Sequence, residues 1–418
     1  MIVLTYYKKI GYACTPLSIP YKTTRSCILK NFSKETLMKC VKENLNDLLH
    51  ILHWNVEHDI FMFRISSDII PFGSHSINQI KWWDSFQDEL KECGQFIIEN
   101  GIRVSMHPGQ YTVLNSPKED IVEKSVKDLE YHCRFLDSLE VDYTNKIILH
   151  VGGIYNNKEL AMQRFIENFS RLSPSAQKRL VIENDDKSYN IEDVLMICNQ
   201  LNIPAVFDNL HHKINPCPFT WDEIIEKVAK TWKTEDGPVK FHYSDQDEIK
   251  KGGAHSKTVN TKNFIEYIKR IGDIEADVML EVKDKEISAL KCIYSLNDEV
   301  NISIRTDQWA KYKYCVMEKS NFFYEECSRL INSEEPMSKF YCCIDECLRL
   351  PYEEADFKNT VEHIYGYLKY YTTTKEKDKL EDLIEYEIKN TMKIKNELQK
   401  LCKKYKIDSL NQSYYFVY

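Results

Sequence analysis

Six short apolar runs in this chain each end on an imidazole or a carboxylate: RVSMHP, KIILHVGG, RLVIENDD, PAVFDNLHH, VKFHYSD and DVMLEVK. They deliver His107, His150, Glu183, Asp208 with His211, His242 and Glu281. Neutral imidazole and ionised carboxylate together make a mixed N/O shell. Without a thiolate, such a shell favours Mn²⁺ or Zn²⁺ over the harder Ca²⁺ or Mg²⁺. Glu183, Asp208, His242 and Glu281 form a four-ligand set with carboxylate bridging capacity, able to hold two ions about 3.5–4 Å apart. His107 and His150 could complete the first ion's shell with Glu183 as the bridge. His211 lies three residues beyond Asp208, and His255 lies in KKGGAHSK. Those two exceed the needs of two ions and fit a third. The expected cofactor is therefore divalent metal, up to three ions, with Mn²⁺ ahead of Zn²⁺ and Mg²⁺.

The ligand-type residues are far apart in sequence, from the 25 positions between Glu183 and Asp208 to the 43 between His107 and His150. Each interval is the length of one strand plus one helix. In a barrel of eight parallel strands, every strand delivers its C-terminal end to one face, so these six ends would converge on one pocket. The hydrophobic pattern supports that architecture. A strand-like run begins at Lys8 (KKIGYACT), and further strands are predicted at 59–67, 102–107, 146–151, 179–184, 204–209, 238–243 and 276–282. Helical periods fall between and after them, at 34–58, 82–99, 119–139, 158–170, 191–201, 220–232, 260–271 and 285–296. In the first helix Leu37, Val41, Leu45, Leu48 and Leu52 recur at three or four, with Ser33 as N-cap. Eight strand-plus-helix units imply a closed TIM (β/α)8 barrel.

Beyond about residue 305 no strand-like run recurs. Residues 308–330, 338–350, 359–371 and 375–405 read as helix, the last rich in interleaved Lys and Glu. The expected division is a barrel over 1–303 and a small all-α domain over 304–418.

Of the twelve histidines, six (His75, His107, His150, His211, His242 and His255) sit at predicted strand ends or in the loops just after them. Any one could be satisfied by a backbone carbonyl; six at one end of one barrel are better explained by metal. Lys240 precedes His242 by two residues and so faces the same side of its strand. The 418 residues are 43% hydrophobic and 29% charged, an ordinary globular balance. No run approaches the roughly 20 apolar residues of a membrane helix. The start, MIVLTYYKKIGYACT, does not read as a secretion signal, which gives an intracellular expectation, cytoplasmic or nuclear. Fourteen scattered cysteines without a Cys-x-x-Cys pair suggest reduced thiols. A net charge of −8 supplies no global basic field, so any contact with nucleic acid would be a local patch.

The motifs SMHPGQY, HVGGIYNNK, IENDD, FDNLHH, KFHYSDQD, GGAHS and MLEVKDKE closely resemble the UV damage endonucleases, barrel enzymes related to endonuclease IV. IGYACT, FRISS and IPFGSH match as well, in order, over roughly 9–290. The resemblance implies a substrate of duplex DNA carrying UV photoproducts, with abasic sites as a further lesion. It implies a cut just 5′ of the lesion that leaves a 3′-hydroxyl and a 5′-phosphate. It makes His107, His150, Glu183, Asp208, His211, His242, His255 and Glu281 metal ligands and places His75 near the site. By the same resemblance Lys240 is carboxylated, the alternative being an ion pair with Asp208 or Glu281. Gln110 and Tyr111 become a probe pair inserted at the distorted base step, the bland alternative being a polar loop tip. Tyr12 is expected to touch DNA from the other side. Where the family usually carries an asparagine after that tyrosine, this chain reads YACTPLS with Pro16. Lys22, Arg25 and Lys30, and Lys250, Lys251 and Lys257, are candidate phosphate contacts. The protein is expected to act as a monomer. The C-terminal part resembles the YbgA-like domain of unknown function through VMEKSNFFYEECSRLI, NTVEHIYGYLKYY and LNQSYYF, and a partner for it is unknown. The main rival is a metal-dependent sugar isomerase on the same barrel, for which four ligands would suffice and the additional histidines would be surplus.

Overall fold

A computed structural model describes residues 8–297 and 299–418. Its first feature is a closed barrel of eight strands in sequence order, every neighbouring pair parallel, with β8 returning to β1. The strands are β1 (Ile10–Ala13), β2 (Met62–Ile65), β3 (Arg103–Met106), β4 (Lys146–His150), β5 (Leu180–Glu183), β6 (Ala205–Asp208), β7 (Val239–Tyr243) and β8 (Ala276–Leu280). All eight expected strands are present. They are buried almost throughout because helices cover their outer faces, which is why they read as apolar runs and not as alternating ones.

The barrel helices are α1 (Lys34–Glu57), α2 (Trp82–Ser85), α3 (Gln87–Glu99), α4 (Glu119–Ser138), α5 (Lys158–Phe169) and α6 (Pro174–Arg179). They continue with α7 (Ile191–Leu201), α8 (Asn209–Ile214), α9 (Trp221–Ala229), α10 (Thr261–Ile271) and α11 (Glu286–Leu296). Helix α1 buries the five leucine and valine positions expected, and Ser33 caps it by accepting from the Thr36 amide. The single helix expected at 82–99 is broken at Phe86, whose backbone leaves helical geometry while its ring goes into the core. Two short helices were not foreseen. One of them, α8, starts inside FDNLHH because the Asp208 carboxylate caps it, accepting from the His211 amide at 2.7 Å.

Strand alternation sorts the barrel interior into layers. At the N-terminal end Arg103 pairs with Asp277 at 2.9 Å and Lys146 with Asp236 at 2.6 Å. The Arg103 guanidinium also lies 5.2 Å from the centre of the Trp232 ring and donates to the Pro238, Asp236 and Thr144 carbonyls. Above this floor sit Ile148, Val181 and Val206, and across from them Met62 and Met279. Lys240 shares this level, fully buried. The next inward positions form the rim.

The chain divides into two compact units. One holds β1, Tyr21–Val259 and Tyr267–Leu290; the other holds Lys291–Tyr418 with the short segments Leu17–Pro20 and Asn260–Glu266. The second contains α12 (Ile302–Met317), α13 (Asn321–Ile331), α14 (Met337–Leu348), α15 (Glu354–Leu368), α16 (Thr374–Tyr386), α17 (Thr391–Lys404) and α18 (Asp408–Asn411). Two helices read from sequence as continuous are broken. Between α12 and α13, Ser320 starts a new helix by accepting from the Phe323 amide, while Glu318 is buried against Lys395 at 2.7 Å. Between α16 and α17, Asn390 plays the same capping part toward Lys393. Tyr414 and Tyr415 of LNQSYYF are fully buried, and Lys395 lies 4.3 Å from the Tyr415 ring. All fourteen cysteines are free thiols. Among the described residues no helix is long and apolar enough to cross a membrane.

Candidate metal centre on the barrel rim

The last inward positions of β2 to β8 are Arg64, His107, His150, Glu183, Asp208, His242 and Glu281. Strand register sets His150 beside Glu183 and Asp208 beside His242. Two ligand groups result, each with one donor atom per residue lying within 4.8 Å of the others. One is His107, His150 and Glu183; the other is Glu183, Asp208, His242 and Glu281. Glu183 belongs to both and is the hub. Its Oε2 lies 3.3 Å from His107 Nε2 and 3.9 Å from His150 Nε2, and its Oε1 lies 2.8 Å from His242 Nδ1. His242 Nδ1 is 3.1 Å from Glu281 Oε1. The donor set fits a divalent cation. Asp208 Oδ2, His242 Nε2 and His150 Nδ1 are buried with no hydrogen-bond partner in the structure, a costly state for polar atoms unless something else engages them.

The electrostatics follow from three carboxylates and several imidazoles sharing a largely buried space. Burial pushes the Glu183 carboxyl up, but the His242 and His150 imidazoles outweigh it and hold the group well below the usual range. Burial likewise raises Glu281; the Arg64 guanidinium and His242 overcome it and bring the carboxyl down to about 2. Asp208 moves the other way, raised by burial and by the charges of Glu183 and Glu281 against the pull of His211. For His211 burial works downward, yet Asp208, Glu183 and Glu281 lift it to about 9. His150 is lowered by burial, with His107 and His211 adding repulsion.

His211 and His255 lie at the margin. His211 Nδ1 is 3.6 Å from Glu183 and 3.8 Å from Asp208, and it donates to the Asn184 carbonyl at 2.9 Å. His255 Nδ1 hydrogen-bonds the Glu281 carbonyl, and its ring centre is 6.1 Å from that of His211. His75 stands outside both groups. It is exposed, and its Nδ1 accepts from the Ile77 amide at 3.1 Å. Tyr12 is corrected. It points outward from β1, fully buried against α1, donates to Asn55 at 3.0 Å and packs edge-on against Phe63, so no nucleic acid can reach it in this conformation. Alternation explains the error: Gly11 and Ala13, not Tyr12, face the barrel interior. Arg25 is held by Asp47 at 2.7 Å and Glu43 at 3.3 Å.

Lys240 makes no ion pair with Asp208 or Glu281. Its Nζ has no hydrogen-bond partner among the described residues, and burial together with Arg103 and Arg64 drives its pKa well down. Beside the rim opens a cavity of about 870 Å³ lined by His107, His150, His211 and the loop Pro108–Val113. Gln110 and Tyr111 are exposed on that loop, Tyr111 at 83%. Thr112 anchors the loop by donating to Asp128 at 2.6 Å. Lys251 is exposed, whereas Lys250 is engaged by Asp247 at 3.2 Å.

Three positioning groups escaped the sequence reading. Arg64 is a charge inside an otherwise apolar strand, which was the available signal, and it binds Glu281 directly. Asn184 clamps Asp208 by donating to its carbonyl at 3.2 Å and accepting from its amide at 2.9 Å. Ser67 donates to the His107 carbonyl at 2.8 Å and is in turn held by His132 at 2.9 Å, a contact between distant elements that no local pattern announces.

A closed parallel barrel whose C-terminal rim gathers imidazoles and carboxylates defines a class, the α/β barrels able to hold metal ions at their strand ends. Within that class this chain belongs to the UV endonuclease family: residues 8–313 match the family described as UV-endonuclease UvdE. Residues 313–418 match a family described as a protein of unknown function, DUF1722. The UV DNA damage endonuclease of Clostridium perfringens (strain 13 / Type A) is 46% identical over 418 residues, spanning 97% of this chain and 99% of its own. The UV DNA damage endonuclease of Bacillus thuringiensis subsp. konkukian (strain 97-27) is 33% identical, covering 71% of this chain and 95% of its own. The crystal structure of SacUVDE superposes with a TM-score of 0.66 at 43% identity, covering 69% of this chain and 97% of that one.

Proposed function

We propose that this chain is a DNA repair endonuclease that nicks duplex DNA immediately 5′ of UV photoproducts, with abasic sites also within its range. Hydrolysis would leave a 3′-hydroxyl and a 5′-phosphate. The carrying observation is Glu183, a buried carboxylate shared by two adjacent ligand groups on a barrel rim. His107 and His150 with Glu183 would hold one ion, and Asp208, His242 and Glu281 with Glu183 a second. His211 and His255 would serve a third. Bound divalent ions, Mn²⁺ first, supply Lewis-acid neutralisation of a phosphodiester and acidification of water.

The protein's own residues do the rest. Arg64 holds Glu281, the Asn184 clamp and the His211 amide hold Asp208, and the His132–Ser67 pair fixes the backbone of His107. Gln110 and the exposed Tyr111 would fill a distorted base step, where unstacking costs least. Lys251 would contact a phosphate. Carboxylation of Lys240 would turn a desolvated, partnerless amine into an anion beneath the site, consistent with its depressed basicity. Residues 1–303 would carry the reaction as a monomer, and 304–418 would serve an unassigned partner.

Purified protein with Mn²⁺ is expected to nick UV-irradiated supercoiled plasmid and leave undamaged plasmid intact; equal cutting of both would overturn the reading. Glu183→Gln should lower the nicking rate roughly 100-fold or more, the scale of losing one essential electrostatic group, with damaged-duplex binding retained.

A further inference from the structure

The second unit exposes tyrosines where a folded chain has reason to hide them. Tyr370 is 84% exposed and Tyr371 56%, in the turn that ends α15. Lys369 lies 4.9 Å from the centre of the Tyr370 ring. The Tyr371 ring approaches that of Tyr405, just past α17, at 6.1 Å, with Lys404 4.8 Å from the latter. This approach joins two stretches, GYLKYYTTTK (366–375) and KLCKKYK (400–406), that carry six lysines and no acidic residue. The nearest acid in sequence, Glu376, is already engaged by Lys404 at 2.6 Å and by the Tyr405 hydroxyl at 2.6 Å.

Lysines near helix C-termini also offset the helix dipole, which accounts for the charge. It does not account for rings displayed to solvent beside that charge. Aromatic faces set among ammonium groups are what single-stranded nucleic acid requires: rings for unpaired bases and cations for the phosphates between them. A duplex hides its base faces, and an acidic protein surface would leave the rings without a use.

We infer that the Tyr370–Tyr371–Tyr405 face, with Lys369 and the exposed Lys403 and Lys406 that flank Tyr405 in sequence, binds single-stranded nucleic acid without sequence preference. The site lies in the second unit and stands whether or not the metal reading holds.

The test uses the full chain in EDTA and a fluorescent, undamaged oligothymidylate, read by anisotropy. Tyr370→Ala with Tyr371→Ala should weaken binding about 10-fold or more, while the Phe pair, which keeps both faces, stays near the wild-type affinity. Reversing Lys369, Lys403 and Lys406 to Glu should flatten the salt dependence, by about 0.7 in log–log slope for each phosphate that is no longer neutralised. Nicking of a short lesion-bearing duplex should be unchanged in the Ala pair. Wild-type oligonucleotide affinity in a folded Ala pair would overturn the inference. So would sedimentation showing that the Ala pair dissolves a self-association while leaving oligonucleotide binding intact, because the face would then be a contact between copies.

Discussion

His211 concentrates the charge conflict of the site in one side chain. Three carboxylates lift its pKa to about 9 against the effect of burial. Its folded value thus lies above the ordinary value of about 6.5. The stability it contributes is fully present below about 6.5 and is lost as pH rises through about 9. A bound cation must displace that proton, so metal affinity should climb across the same interval and level off above it. Calorimetric titration of Mn²⁺ in buffers of different ionisation enthalpy should show proton release that fades near pH 9. A proton count independent of pH across that interval would mean His211 does not compete with the ion. The residue types at the rim were legible because each strand ends on its ligand. Arg64 and His75 were not, since a sequence gives neither a side chain's partner nor the path of the loop carrying it.

Among elements, the strand tips are held by amide clamps. Asn184 ties β5 to the Asp208 backbone, and Asn209 does the same for the start of the loop after β7, donating to the Ser244 carbonyl at 3.1 Å and accepting from its amide at 2.9 Å. Asn184→Ala leaves both backbone groups of Asp208 buried and unpaired, at a cost of about 1–3 kcal/mol. It should also lower metal affinity about 10–100-fold, as loss of a ligand's support does. Thermal melts with and without Mn²⁺ would read both effects, and an unchanged metal affinity would show that Asp208 is held without the clamp. Strands were readable from their apolar runs, and α1 from its period and its cap. Helix breaks at Phe86, Ser320 and Asn390 were less so. At each, local helical period continues through the break, and a core ring or a capping side chain decides the interruption. Tyr12 failed for a related reason: proximity to the rim in sequence counted for less than the alternation that turns it toward α1.

At the scale of the whole molecule, both ligand groups found among the described residues lie in the first unit. A cation that binds the folded barrel stabilises it by mass action, about 2.7 kcal/mol at a hundred times the dissociation constant. Calorimetric scans should therefore resolve two transitions, with Mn²⁺ raising one and EDTA lowering the same one. Two transitions that both ignore the metal would remove the rim as its binding place. Architecture at this scale was the most legible property, because eight repeats of one strand-and-helix length admit few closed solutions. The interior ion pairs were the least, since Arg103 meets Asp277, and Lys146 meets Asp236, only when the barrel has closed.

Those pairs, packed under Trp232, plug the cylinder at its N-terminal end. Among the described residues, an ion and a substrate bound for the centre would then both enter by the rim. A nucleic acid seated on the rim would trap whatever cations are beneath it, and an emptied centre could refill only after the product had departed.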